Sequence, residues 1–202
     1  MVRFAVSSII ALVIVSGVDV TPAQARGPWM NIGKTTRAPA AFYTFCSRQP
    51  GECARRSGRG NGKIVLNSAR WSELQKVNGQ VNRSVREVSD LMNFGHKDVW
   101  QLPDRKGDCE DFALLKRQRL IALGWPSSAL LMTVVRDRNG DGHAVLTVVT
   151  DKGDYILDNI TGRISLWSRT PYVYFSRQSQ SDPRTWVSIK TDVRGKVARG
   201  RR

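Results

Sequence analysis

Gly107-Asp108-Cys109-Glu110-Asp111-Phe112-Ala113-Leu114-Leu115-Lys116 is the stretch on which the fold of this chain turns. It reads as the start of a helix with a cysteine in its first turn. Asp108 is a good N-cap, because its carboxylate can accept from the free N–H groups two and three residues on. Phe112, Ala113, Leu115, Leu120 and Leu123 recur at near-helical spacing, and Gly124 with Pro126 ends the run. A thiol in that first turn lies at the positive end of the aligned peptide dipoles. This favours thiolate, the form that attacks carbonyls. A lone helical cysteine is more often a small buried apolar residue. Here two carboxylates flank it directly and Asp111 follows, unusual company for a core position. The stretch predicts a reactive or site-forming Cys109 whose base comes from elsewhere.

Downstream the texture changes to strands. Residues 129–135 and 144–150 are rich in β-formers, and 155–157 is a third short run. Asp137-Arg138-Asn139-Gly140-Asp141-Gly142 and Asp151-Lys152-Gly153-Asp154 connect them with hairpin-type turn chemistry. The first connection also opens like a calcium loop of the EF-hand kind. Its twelfth position holds Val148 instead of an acid, so it reads as a plain turn. Residues 164–186 supply aromatics suited to closing strands.

Upstream, a helix is expected from Asn67 or Ser68 with Trp71, Leu74 and Val77 on one face. Asn78-Gly79 then interrupts, and a second helix carries Val81, Val85, Val88, Leu91 and Met92 toward the core. Residues 94–106 lose periodicity and read as a loop. His96 in that loop is a minor candidate, since a lone loop histidine is commonly solvated. The order is helices, then the cysteine helix, then an antiparallel meander, an α+β class. No internal repeat is visible.

The ends lie outside this unit. Arg3, the apolar run 4–15 and Ala23-Gln24-Ala25 form a signal-peptide pattern over 1–25, with a run too short for a comfortable membrane span. Residues 26–41 read as a loose lead-in, 42–189 as the domain, and 190–202 as a basic disordered tail. The chain of 202 residues carries a formal charge of +15. Six basic groups against Asp192 put +5 of it in the tail. No zinc spacing or ribonucleoprotein motif accompanies the charge. The expected partner is an anionic envelope surface and not nucleic acid. An exported chain meets an oxidising compartment. Cys46 and Cys53 bracket a short loop with a Pro-Gly turn and are expected to pair, leaving Cys109 as the odd thiol.

His143 opens the second strand and Asp158 ends the third. Neighbouring antiparallel strands set matching ends side by side, so the two can meet if the register allows. Packing the cysteine helix on that sheet would bring Cys109 to the other imidazole nitrogen. Taken singly, His143 is a turn-flanking polar residue and Asp158 a strand-end cap. Taken with Cys109 they follow the logic of nucleophile, base and orienting carboxylate.

Residues 107–113, Gly142-His143-Ala144-Val145-Leu146 and Leu157-Asp158-Asn159 together resemble the bacterial transglutaminase-like cysteine proteases, the LapG-like periplasmic group. The resemblance runs from about Phe42 to Trp186. It implies a papain-like core and a triad of Cys109, His143 and Asp158. It also implies calcium as a cofactor, since the acids that flank the cysteine and bind calcium in LapG-type members match Asp108 and Glu110. Two carboxylates do not complete a shell of about six or more oxygens. Asp111 is either a further ligand or a residue favouring the helix N-terminus. The implied activity is acyl transfer by a periplasmic or secreted cysteine endopeptidase. The Cys109 N–H is one oxyanion donor, and a second is sought at Trp100 or Gln101. The implied substrate is a protein, a surface adhesin in the case of LapG, although shared chemistry does not carry the substrate over. A regulatory membrane receptor is a further partner of unknown identity. The alternatives are a transglutaminase-like acyltransferase and a non-catalytic, calcium-dependent envelope-binding module on the same fold.

Overall fold

The computed structural model describes residues 27–54 and 64–190. The signal pattern at 1–25, the basic linker after Ala54 and all of the tail but Lys190 lie outside the described residues. The elements in chain order are β1 (Ile32–Thr36), α1 (Ala40–Arg48), α2 (Ser68–Ser84), β2 (Arg86–Glu87), α3 (Asp90–Phe94), β3 (Lys106–Gly107) and α4 (Cys109–Ala122). There follow β4 (Leu130–Arg136), β5 (Gly142–Thr150), β6 (Gly153–Leu157), β7 (Ile164–Leu166), β8 (Val173–Gln178) and β9 (Trp186–Ile189). Seven strands form one sheet in the order β1-β9-β8-β4-β5-β6-β7, with every pairing antiparallel. The expected meander is its β4-β5-β6 centre. The α+β class holds.

The sheet buries both faces, and the alternation along β5 shows how. Leu146 and Val148 face one core with Phe112, Leu120, Leu74 and Val81 from the helices. Val145 faces a smaller core with Ile156, Trp167, Tyr172 and Tyr174. Period-two alternation therefore sorts consecutive apolar residues onto two cores. α4 is buried almost all round, including Glu110, Asp111, Lys116 and Arg117. Arg117 donates to Leu130 O at 3.1 Å and Glu52 O at 3.0 Å. Gln118 donates to Glu52 Oε1 at 3.0 Å. Glu52 stands next to Cys53, which is joined to Cys46, so the disulfide loop is tied to the cysteine helix.

Three expectations about the helices and the lead-in are corrected. α2 runs unbroken through Asn78-Gly79. An interior glycine costs a helix only about 1 kcal/mol, and Leu74, Val77 and Val81 are all buried on one face. The expected second helix is replaced by β2 and the five-residue α3, which leaves Leu91 and Met92 exposed. The lead-in is not loose. β1 pairs with β9, Met30 N–H donates to Asp154 at 2.9 Å and Asp154 N–H donates to Pro28 O at 2.8 Å. Gly153 accepts this close approach at φ +131°, where a Cβ would lie 2.6 Å from Pro28 O. α2 starts where expected, and Asn67 caps it by accepting from Arg70 N–H at 2.9 Å.

Candidate active site

α4 begins one residue after β3, and β3 pairs with β2, so the chain enters the helix from a fixed direction. Gly107 is required there, since a Cβ would sit 2.7 Å from Asp111 Cβ. Asp108 occupies the N-cap position, but its side chain makes no cap bond. Its Oδ2 instead accepts from Asp90 N–H at 3.1 Å. Asp111 accepts from Gln101 N–H at 2.9 Å, and Asp90 accepts from Val99 N–H. Each of these three carboxylates ties down residues 90–101 with one oxygen. The other oxygen of each (Asp90 Oδ1, Asp108 Oδ1, Asp111 Oδ2) is buried without a hydrogen-bond partner. Asp90, Asp108 and Asp111 can bring ligand atoms within 4.8 Å of one another, and so can Asp108, Cys109 and Glu110.

Burial, reinforced by the charge of Asp108, pushes Glu110 up to about 9. Burial also pushes Asp111 up to about 8, against the pull of the Gln101 N–H. Asp90 is raised by burial as well. Such a group of acids ionises together only beside a positive charge. Hard oxygens in this number suit a cation of the calcium type.

Cys109 is half-buried and unpaired. Its Sγ lies 3.1 Å from Glu110 Oε2, to which the thiol donates, and accepts from Ala144 N–H at 3.4 Å. Burial, and then the neighbouring Glu110, hold the thiol well above its usual range. These surroundings oppose the thiolate that the helix dipole favours. A partial dipole charge is outweighed by desolvation and two adjacent carboxylates.

Across from it, the β5–β6 register pairs Leu146 with Leu157. Continued one step, that register sets Asp158 opposite Val145, with His143 two residues along on the same face. His143 Nε2 lies 3.0 Å from Asp158 Oδ1, both side chains buried. Asp158 accepts further from Ile160 N–H at 3.1 Å, from Thr161 Oγ1 at 3.2 Å and from the Tyr172 hydroxyl. Burial alone would raise this carboxyl, but the bonds from His143 and Tyr172 hold it well below the usual carboxylate range. Tyr172 is shifted up by its own burial and by Asp158. Its ring meets the imidazole edge-on at 5.4 Å. Asn82 of α2 donates to Asp158 O at 2.8 Å. Lys116, buried in α4, is lowered by desolvation to about 7 against the opposing pull of Asp158.

The structure thus joins His143 to Asp158 and places Cys109 against the backbone of the next residue, Ala144. Among the described residues the thiol's own hydrogen bonds go to Glu110 and Ala144, not to the imidazole. Asp158 takes Nε2, so Nδ1 is the ring nitrogen not engaged by that carboxylate. His96 is exposed and stands outside this group. Of the suggested second oxyanion donors, the Trp100 indole N–H goes to Asp98 at 2.9 Å and the Gln101 backbone N–H goes to Asp111 at 2.9 Å. Asp137 accepts from Asn139 and Asp141 N–H, as a plain turn does. Sequence reasoning passed over Asp90, Asn82, Thr161 and Tyr172. No spacing rule links them to the motif blocks, and Tyr172 read only as a strand-closing aromatic.

A family model described as the bacterial transglutaminase-like cysteine proteinases matches residues 32–194. Among solved structures, calcium-bound LapG of Legionella pneumophila is similar at 25% identity and a TM-score of 0.51, over 63% of this chain and 75% of that one. The EGTA-treated form of LapG gives 28% identity and a TM-score of 0.50 over 60% and 68%. A further LapG structure gives 29% and 0.47 over 53% of this chain and 64% of that one, just under two thirds of its length. Comparison with curated protein sequences gives no match.

Proposed function

From its membership of the bacterial transglutaminase-like cysteine proteinases, we propose that this chain is an exported endopeptidase acting through Cys109, His143 and Asp158. The observation that carries the reading is the buried His143–Asp158 pair at 3.0 Å, with the thiol against Ala144 N–H at 3.4 Å. Asp158 holds Nε2 protonated and so leaves Nδ1 as the base. His143 Nδ1 takes the proton of Cys109, the sulfur attacks a substrate amide carbon, and the imidazolium returns the proton to the leaving amine. Asp158 keeps its negative charge through the bonds from Tyr172, Thr161 and Ile160, and so stabilises that imidazolium. Water then hydrolyses the thioester, with His143 again as base.

Calcium is the metal this reading adds. The three partnerless carboxylate oxygens of Asp90, Asp108 and Asp111 fit a hard cation, and Glu110 stands on the thiol side of Asp108. A dication held there would supply positive charge beside the sulfur, offsetting the acids that oppose ionisation. The similarity to calcium-bound LapG supports the same choice. Export is supported by the signal pattern at 1–25 and by the Cys46–Cys53 disulfide. The proposed substrate is a cell-envelope protein, such as a surface adhesin. The basic charge outside the domain favours an anionic envelope surface.

The test is to digest the envelope and secreted proteome with wild type and with Cys109→Ala, and to sequence new N-termini. New termini that appear only with wild type, together with selective labelling of Cys109 by an activity-based thiol probe, are expected. Identical termini from both proteins would overturn the reading.

A further inference from the structure

A cavity of about 150 Å³ opens beside Asp158, on the side away from the cysteine helix. Its walls come from the segment after β6 and from β7 through Tyr172, and include Thr161, Arg163, Ser165, Arg169 and Thr170. The acceptors at its back are already engaged. Both Asp158 oxygens receive donors from His143, Ile160, Thr161 and Tyr172. The Thr170 hydroxyl bonds with Trp167 O and the Tyr174 hydroxyl. The two guanidinium groups differ. Among the described residues neither Arg163 nor Arg169 has a carboxylate partner, and both are exposed at the mouth. Guanidinium groups only donate, in a planar fork that matches a carboxylate. A pocket lined by two of them and by Ser165 suits an anionic acceptor. Its volume holds several water molecules, enough for a carboxylate group with part of its hydration.

We propose that this cavity is a specificity subsite for an acidic side chain of the polypeptide substrate, held by Arg163 and Arg169. The inference rests on the protease reading, because the wall that the cavity shares with the imidazole is Asp158 itself. The proposed occupant is the Asp or Glu side chain of a substrate chain bound at His143, a few residues from the scissile bond. Two guanidinium groups at the mouth, against one carboxylate at the back whose oxygens are already taken by donors, favour a single added negative charge. A charge-assisted guanidinium–carboxylate pair at a half-open site is worth about tenfold in discrimination against the isosteric amide.

The full mature chain is tested in two arms. In the first, N-acetyl-glutamic acid α-amide, its glutamine counterpart and inorganic phosphate are titrated separately and followed by backbone amide NMR. Shifts at residues 161–172 with the glutamic acid compound alone, lost in the Arg163→Gln/Arg169→Gln double variant, are expected. Shifts with phosphate but not with the glutamic acid compound would make it a free-anion site and overturn the proposal. No shift with either would do the same. In the second arm a peptide pool is cleaved, and Glu is expected over Gln at one fixed position by about tenfold, falling to parity in the double variant. Cleavage with no acidic preference and no shifts removes the subsite and leaves the protease reading standing. Glutamic-acid-specific shifts in a protein that cleaves nothing would support the subsite and remove that reading.

Discussion

At the imidazole end, Asp158 accepts from His143, Ile160, Thr161 and Tyr172, while at the thiol end Asp90, Asp108 and Asp111 each bury one oxygen that no donor reaches. The burial is alike and the consequence opposite. Donors supplied by the chain keep one carboxylate charged and depressed, whereas crowding raises the acids of the other end, Glu110 to about 9. Under the proposed protease reading, folding alone completes the base and its orienter, while the nucleophile's surroundings are completed by positive charge from outside the chain.

Substitution at the reacting groups tests the contrast most severely. Cys109→Ala and His143→Ala are each expected to lower peptide hydrolysis by about 10⁴-fold or more, with the double variant little worse than either. Asp158→Asn should leave a weak residual rate, because the imidazole keeps a partner but loses the right tautomer. Single-turnover rates on a peptide found by N-terminal sequencing decide this, and full activity in His143→Ala would break the comparison at its complete end.

Chelation probes the incomplete end. EGTA is expected to reduce hydrolysis by about 10–100-fold without unfolding the domain, and Glu110→Gln to weaken both calcium binding and rate. Added calcium should restore part of that rate. Calorimetry showing no calcium binding, together with full activity in EGTA, would mean that the acids serve only to hold residues 90–101 in place.

The two ends also differ in the sign of their pH dependence. Glu110 and Asp111 are raised from ordinary values of 4.5 and 3.8 to about 9 and about 8. Their contribution to stability is fully present below about pH 4 and is lost as pH rises through 8 to 9. Asp158 is depressed, so its contribution is present above about pH 4 and is lost as pH falls toward its folded value. Urea midpoints of the calcium-free protein should therefore fall between pH 5 and pH 9, with each group limited to about 1.4 kcal/mol per pH unit. Glu110→Gln should flatten that fall and Asp158→Asn should not. An unchanged slope in Glu110→Gln would show that the acids are not linked to folding in this way.

The smallest effect concerns the support common to both ends. The Cys46–Cys53 loop presents Glu52 to Arg117 and Gln118 of α4. Replacing both cysteines by serine is expected to cost about 2–3 kcal/mol, mainly through the unfolded chain. Urea unfolding measures this. Thiol counting on the unfolded, unreduced wild type should return one free thiol per mature chain, and three would remove the disulfide.

How far the sequence was legible follows from which signals are local. The turn chemistry at Asp137–Gly142 and Asp151–Asp154, with β-rich runs between, set the β4-β5-β6 hairpins and brought His143 and Asp158 to one end of them. The short Cys46–Cys53 spacing and the odd Cys109 were equally readable, since loop closure depends on chain distance alone. Val81 to Met92 misled because apolar spacing shows which residues could share a helix face. It does not show whether anything covers that face, and in the fold Leu91 and Met92 remain exposed. Tertiary structure alone decided the electrostatics. Asp90 comes from 18 residues before Asp108, and Tyr172 from 14 residues after Asp158. By itself the sequence determined which groups could react: a thiol at a helix start, an imidazole and a carboxylate at strand ends. Whether each is charged depends on burial and on donors that arrive from distant parts of the chain. A proton's free energy is set by what surrounds it in space, and sequence spacing does not encode that.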